Sequence, residues 1–355
     1  MNASPLWARA GFLLLAFLPA CGPTSKRLRS ELDEGARGIY LPGVPFVRQR
    51  RNHCGPAALA SVALYAGVDT TQEAIAEDTF LSSIAATLTI DLERCARRLG
   101  LWVRADQGTA EDVRAWLDRG VPVVALLKLG WVYGGNLHYV VVNGYHADRG
   151  YFIAHTGHLS NRPISFDTFE SQSAKAGRWQ LVACDPEEVT WPLTADSHKR
   201  LGLLFERKGD LPRARVEFQR AADADPDQAI HHYNLGNALF RAGDREGAVR
   251  RYREAARLEP DLADAHNNLA SVLLLLGRRE EALAAARRAV AIGGERVAYY
   301  HDTLGRVLLV AGRYDEAAAS FRKAIETTRD DATRAEAKQG LEEAERKGRT
   351  EDGGR

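Results

Sequence analysis

From residue 195 to 332 the apolar and small residues recur with a single period. Shifting the chain on itself by 34 residues lays Leu201-Gly202 over Leu235-Gly236 and Leu269-Ala270, and after one inserted residue over Leu304-Gly305. Gly209, Gly243, Gly277 and Gly312 move with them. So do Ala214, Ala248, Ala282 and Ala317, then Phe218, Tyr252, Ala286 and Phe321, and the small column Ala221, Ala255, Ala289 and Ala324. The pattern predicts pairs of antiparallel helices. Small residues let the two helices approach, Gly ends the first helix, and Pro226 and Pro260 close the first two pairs. Before residue 190 the pattern changes. Ala57 to Ala66 is apolar on almost every face and predicts a buried helix, while Ile90 to Leu99 and Thr109 to Arg119 read as further helices. Val121 to Leu127, Leu137 to Tyr145 and Trp179 to Ala183 are short apolar runs that predict strands. Helices first and a mostly antiparallel sheet afterwards make this half α+β.

The repeated columns resemble the tetratricopeptide repeat, with its L-G-x2-Y, G, A-x3-F-x2-A and P landmarks. The resemblance implies four repeats over 195–332, stacked as a superhelix, with an amphipathic capping helix at 333–347 and a disordered tail at 348–355. Tyr299, Tyr300, Asn234, Asn237, Asn267 and Asn268 fall on first helices, where groove-lining side chains are expected. The concave face of such arrays takes a peptide or partner protein. A rigid spacer or a dimerisation surface is the other reading.

The amino terminus reads as an address. Met1 to Ala20 has a positive end supplied by Arg9, then the apolar run Ala10 to Leu18, too short to span a bilayer. Leu18-Pro19-Ala20-Cys21 resembles a bacterial lipobox, with Pro19 an unusual occupant of its position. That resemblance implies a signal peptide over 1–20, a lipid on the Cys21 thiol, and a polar tether over 21–40. Gly22, with no acidic residue beside the cysteine, resembles the pattern of lipoproteins sent to the outer membrane, facing the periplasm. A secreted protein cleaved near here, or a weak uncleaved anchor, is the alternative.

Composition narrows the partners. The 355 residues, 45% apolar and 27% charged, are those of an ordinary globular protein of about two domains. Lys+Arg 48 against Asp+Glu 47 leaves no basic footprint, so no nucleic-acid partner is expected. Four cysteines without a CxxC pair give neither a disulfide scaffold nor a structural zinc site. No cofactor is expected.

The chemistry lies between residues 41 and 190. Asn52-His53-Cys54-Gly55-Pro56 places a thiol at the start of the buried helix, with Gly55 and Pro56 suited to the turn and the first helical position. The positive end of the helix dipole is expected to lower the pKa of Cys54 and favour its thiolate. His138 opens the strand Leu137 to Tyr145, and a histidine at a strand edge facing a helix-start cysteine is a nucleophile and base arrangement. The block Gln49-x4-Cys54-Gly55-Pro56-Ala57-Ala58-Leu59-Ala60, with the later His138-Tyr139-Val140-Val141-Val142-x-Gly144-Tyr145, resembles the bacteriocin-processing, double-glycine-leader type of papain-like cysteine peptidase. The whole order resembles bacterial lipoproteins that join such a domain, here 41–190, to tetratricopeptide repeats.

The resemblance implies that Cys54 is the nucleophile and His138 the base and later the acid. It makes the Gln49 side chain and the Cys54 backbone N–H the oxyanion donors. One departure stands out. In those peptidases an orienting Asp, usually in Asp-Pro, follows the histidine by about 16 residues. Here that stretch reads Ile153-Ala154-His155-Thr156-Gly157, so His155, Thr156 and His158 are the candidates for orienting His138. Cysteine is intrinsically nucleophilic, so loss of the carboxylate predicts weakened rather than necessarily abolished activity. A metal bound by Cys54, His138, His155 and His158 is conceivable by ligand softness, but the spacing matches no zinc pattern. Cys95 and Cys184 read as core thiols, with a mutual disulfide as the alternative in an oxidising compartment.

Two functions follow. The first is a membrane-anchored envelope cysteine peptidase that hydrolyses or trims a peptide or protein, with repeats that bind peptide or a partner. The second is a non-catalytic adaptor with a degenerate peptidase domain.

Overall fold

A computed structural model describes residues 24–129 and 137–352. The signal segment 1–20 and Cys21 lie outside them. The chain forms two compact units, the first ending at Cys184 and the second running from Asp185.

The first unit is α+β. Helix α1 spans Thr24–Asp33, followed by strand β1 (Gly38–Tyr40), helix α2 (Cys54–Tyr65), α3 (Gln72–Thr79), the hairpin β2 (Phe80–Leu81) and β3 (Ala86–Thr87), and α4 (Thr89–Arg98). Strand β4 (Trp102–Gln107), α5 (Ala110–Leu117), β5 (Val123–Lys128), β6 (Leu137–His146), β7 (Tyr151–His155), β8 (Arg162–Ser165), α6 (Phe166–Ala174) and β9 (Trp179–Cys184) complete it. The main sheet runs β4-β9-β5-β6-β7-β8, with β1 also paired to β6. Every residue of α2 from Gly55 to Ala63 is buried, as a helix without a polar face requires. It packs on β5, β6 and β9, so the apolar run at 57–66 and the three strand runs form one core. That packing holds the first turn of α2 beside the start of β6.

The segment 21–40 was expected to be a tether. From Thr24 onward it is instead built into the unit. Gly38, Ile39 and Tyr40 pair antiparallel with His146, Tyr145 and Gly144. On α1, Glu31 gathers Arg27 at 2.8 Å, Arg149 at 2.8 Å and the buried His146 at 3.0 Å. Backbone pairing and a shared carboxylate dock this stretch, which composition alone marks as polar and solvated. No disulfide joins Cys95 to Cys184. The Cys95 thiol donates to Asp78 Oδ2 at 3.8 Å instead.

The second unit stacks helical pairs: α7 (Ala195–Arg207) with α8 (Leu211–Ala224), α9 (Ala229–Arg241) with α10 (Arg245–Leu258), α11 (Ala263–Leu275) with α12 (Arg279–Ile292), and α13 (Val297–Val310) with α14 (Tyr314–Thr327). Helix α15 (Asp331–Asp352) packs on α14 and α13. It is longer at both ends than the expected 333–347, and it continues through 348–352, which was expected to be disordered.

The repeated columns have a steric logic. A Cβ on Gly202, Gly236 or Gly305 would lie 2.7 Å from the ring of Phe218, Tyr252 or Phe321 respectively. In the third repeat the glycine becomes Ala270 and the aromatic becomes Ala286, both fully buried in one cluster, so a methyl on the first helix is accommodated where no ring faces it. The first-helix asparagines are each bonded to a neighbour or buried. Asn237 Oδ1 accepts from Tyr252 OH at 2.7 Å and from Asn268 Nδ2 at 3.0 Å, and Asn267 and Asn234 are buried. Tyr300 is buried and donates to Asp264 at 2.9 Å, while Tyr299 is exposed.

Candidate functional site

Cys54 opens α2. Pro56 has no N–H, and the Ala57 N–H already donates to His53 O at 2.9 Å. The open donors of the first turn are therefore those of Cys54 and Gly55. Both reach the thiol sulfur, as does the backbone N–H of Tyr139 on β6. These amides favour the thiolate in the direction expected of a helix start. Burial acts the other way and outweighs them, so the thiol pKa stands above its ordinary value rather than below it. Gly55 suits this close-packed seat. A Cβ there would come within 3.2 Å of Leu92 Cδ1, Thr87 Cβ and Tyr139 Cε2. Tyr139 is itself fixed, donating through its hydroxyl to Thr87 O at 3.1 Å.

His138 precedes Tyr139 on β6 and is paired across the ladder with Leu127. Burial lowers its pKa, a hydrogen bond to the Thr156 backbone carbonyl raises it in part, and the nearby His158 lowers it further. With the thiol pushed up and the imidazole pushed down, the resting pair at neutral pH is thiol and neutral imidazole.

His155 does not orient His138. The β6/β7 register sets Val141 opposite His155, and directly paired residues share a face. His138 and Val141 are three apart on β6 and face opposite ways. The His155 ring turns instead to Val44 O at 3.2 Å, and its Nδ1 accepts from Asn161 N at 3.2 Å. Thr156, one residue on, brings a backbone carbonyl to His138 instead. The bulge at Asn143, where the pairing skips between Val142 and Gly144, is what sequence could not register. His155 also leaves the set named for a metal. Among the described residues no three His, Cys, Asp or Glu side chains gather as a metal site.

Gln49 lies in the segment that leads into α2. Its backbone N–H donates to Gly157 O at 2.9 Å. Its neighbours are clamped by Gln72, which donates to Arg48 O at 2.9 Å and accepts from Arg50 N at 3.0 Å. Gly157 has φ +77°, and a Cβ on it would overlap Gln49 Oε1 and lie 3.0 Å from His138 Nε2. Gln49 and His138 thus converge on one glycine, while Cys54 is held on the amide of the next residue of β6. Gln72, Tyr139 and Gly157 were not anticipated. Gln72 acts across the fold and leaves no local signal, whereas the glycine between Thr156 and His158 was a readable mark of a tight turn. The first unit's exposed large apolar side chains among the described residues, Leu81, Ile84, Leu88, Ile90, Leu137 and Leu159, lie in the segments that carry or touch these groups.

Residues 42–184 match the Peptidase_C39 like family. Residues 202–243 and 236–277 match a TPR repeat model, and 261–330 match a tetratricopeptide repeat model. No curated protein matches the chain. Solved structures similar to the helical part include MamA, at 22% identity over 42% of this chain and 96% of that one, with a TM-score of 0.34. Pseudomonas aeruginosa pilF is 23% identical over 43% and 72%, with a TM-score of 0.38. YrrB, described as a TPR protein with an unusual peptide-binding site, is 23% identical over 42% and 84%, with a TM-score of 0.35.

Proposed function

We propose that this chain, a Peptidase_C39-like domain followed by tetratricopeptide repeats, is a cysteine peptidase of the bacterial envelope. The carrying observation is the convergence of Gln49 and His138 on Gly157, with the Cys54 thiol seated on the N–H of the residue after His138. Because the resting pair is neutral, His138 acts as a general base. It takes the thiol proton as sulfur attacks the peptide carbonyl. The developing oxyanion is met by the Gln49 carboxamide and the Cys54 backbone N–H. His138 then returns the proton to the leaving amine, and water, activated by the same imidazole, hydrolyses the thioester. The apolar side chains around the site suit a peptide segment carrying apolar residues, and the repeats supply a surface for a protein partner. A proteome-derived peptide mixture tests the reading. The wild type is expected to generate new amino termini that Cys54→Ala does not, and equal termini from both would remove it.

The envelope placement rests on the lipobox-like Leu18 to Cys21. Two or more acyl chains on Cys21 would anchor the protein stably, each buried CH2 adding about 0.8 kcal/mol. Cys21→Ser is expected to shift the protein from the membrane to the soluble fraction, and unchanged partition would rule the anchor out.

The adaptor reading draws on a specific observation as well. A backbone carbonyl, not a carboxylate, meets His138, and the Cys54 thiol is held above its ordinary pKa. It expects no peptide cleavage by the wild type.

A further inference from the structure

One turn of chain serves both His138 and Gln49. Thr156 N–H donates to Leu159 O at 2.9 Å and His158 N–H donates to Thr156 O at 2.9 Å, closing a tight loop through Gly157 in its left-handed conformation. The loop sets the Thr156 carbonyl on His138 and brings the His158 ring back over Gln49. There, Gln49 Nε2 lies 3.4 Å from His158 Nε2. Its Oε1 is buried without a hydrogen-bond partner. An amide oxygen and nitrogen are nearly alike in shape, and their bonding decides which is which. Rotating the carboxamide by half a turn sets the oxygen on His158, where a ring N–H donates to it. The NH2 then stands where the unpartnered oxygen was, in the space left open by Gly157 beside His138.

We propose that His158 is a positioning residue for the oxyanion hole, its ring N–H holding the Gln49 oxygen so that the carboxamide N–H faces the carbonyl attacked by Cys54. An oxyanion donor stabilises the transition state only if it is already aimed, and a glutamine side chain turns about three bonds. A bond to its oxygen leaves only its donors for the reacting carbonyl. Neutral imidazole with the proton on Nε2 and imidazolium both supply that bond. The same contact seats Gln49 without placing His158 on the substrate.

The inference rests on the cysteine peptidase reading, and two reagents separate them. With p-nitrophenyl acetate, the Cys54 C–S bond forms, the ester C–O bond breaks, p-nitrophenolate leaves and His138 takes the thiol proton, through an oxyanion. Iodoacetamide alkylates the same thiol by displacing iodide, with no oxyanion. The ratio of acylation to alkylation rates at Cys54 therefore reads the oxyanion hole, measured on variants whose circular dichroism and thermal midpoint match the wild type. His158→Leu is expected to lower this ratio about tenfold or more, towards that of Gln49→Ala, for which removal of a donor predicts about 10²-fold. His158→Gln, which keeps an N–H donor, is expected to recover most of it. An unchanged ratio in His158→Leu alongside a fallen ratio in Gln49→Ala would overturn the role of His158. No acylation of Cys54 in the wild type would instead remove the peptidase reading on which it stands.

Discussion

His138→Ala is expected to slow alkylation of Cys54 by iodoacetamide at pH 7 by about 10²-fold, the lower end of what a positioned base contributes. The sign follows from the two shifted groups. The thiol pKa is raised by burial, so little thiolate exists at pH 7. The imidazole pKa is lowered by burial, so the base is neutral and competent there. In the wild type the rate should fall only as the pH drops below the ordinary imidazole value of about 6.5. It should stay level through neutrality and rise again where the thiol ionises, above the ordinary thiol value. The variant should lose the level stretch and keep only the alkaline rise. A stopped-time alkylation series from pH 5 to about 10 measures both limbs. Superimposable profiles would mean that His138 does not serve Cys54.

The largest effect on stability is expected at Phe321. Its ring is fully buried between two glycines, and Cβ atoms on Gly305 and Gly340 would lie 2.7 Å and 2.5 Å from it. Those glycines belong to α13 and α15, so a single side chain fills the space among three helices. Truncating a buried phenylalanine costs about 3–5 kcal/mol through lost transfer energy and the cavity left behind. In a stacked array the loss falls on the neighbouring interface, and α15 should detach first. Phe321→Ala is therefore expected to lower the thermal midpoint followed by circular dichroism and to open amide exchange in α15 before α9. An unchanged midpoint would contradict the assigned packing.

The same column shows what the sequence could reveal. Gly305 opposite Phe321, and Ala270 opposite Ala286, are spaced alike within each repeat, so their contact is implied by periodicity alone. The helix start at Cys54 was readable for a similar reason, since Gly55, Pro56 and an all-apolar run admit few other structures. The orienting group of His138 was not. It depends on a bulge at Asn143 that shifts the β6/β7 register, and on a backbone carbonyl, which has no side-chain signature. The sign of the Cys54 shift was hidden too. Sequence reveals the helix N-terminus but not that burial of the thiol outweighs its backbone donors. Residues 24–40 misled by composition, because one carboxylate, Glu31, and three backbone pairs dock a segment that is otherwise polar.

The most direct measurement is acetylation of Cys54 by p-nitrophenyl acetate at pH 7, located by mass spectrometry of the peptide that carries it, in the wild type and in His138→Ala. A thiol served by a general base predicts one acetyl group on Cys54 in the wild type, a matching release of p-nitrophenolate, and loss of the acetyl group with time as water hydrolyses the thioester. His138→Ala should acetylate far more slowly. An unmodified Cys54, or equal acetylation in both proteins, would contradict a catalytic Cys54 and His138 pair.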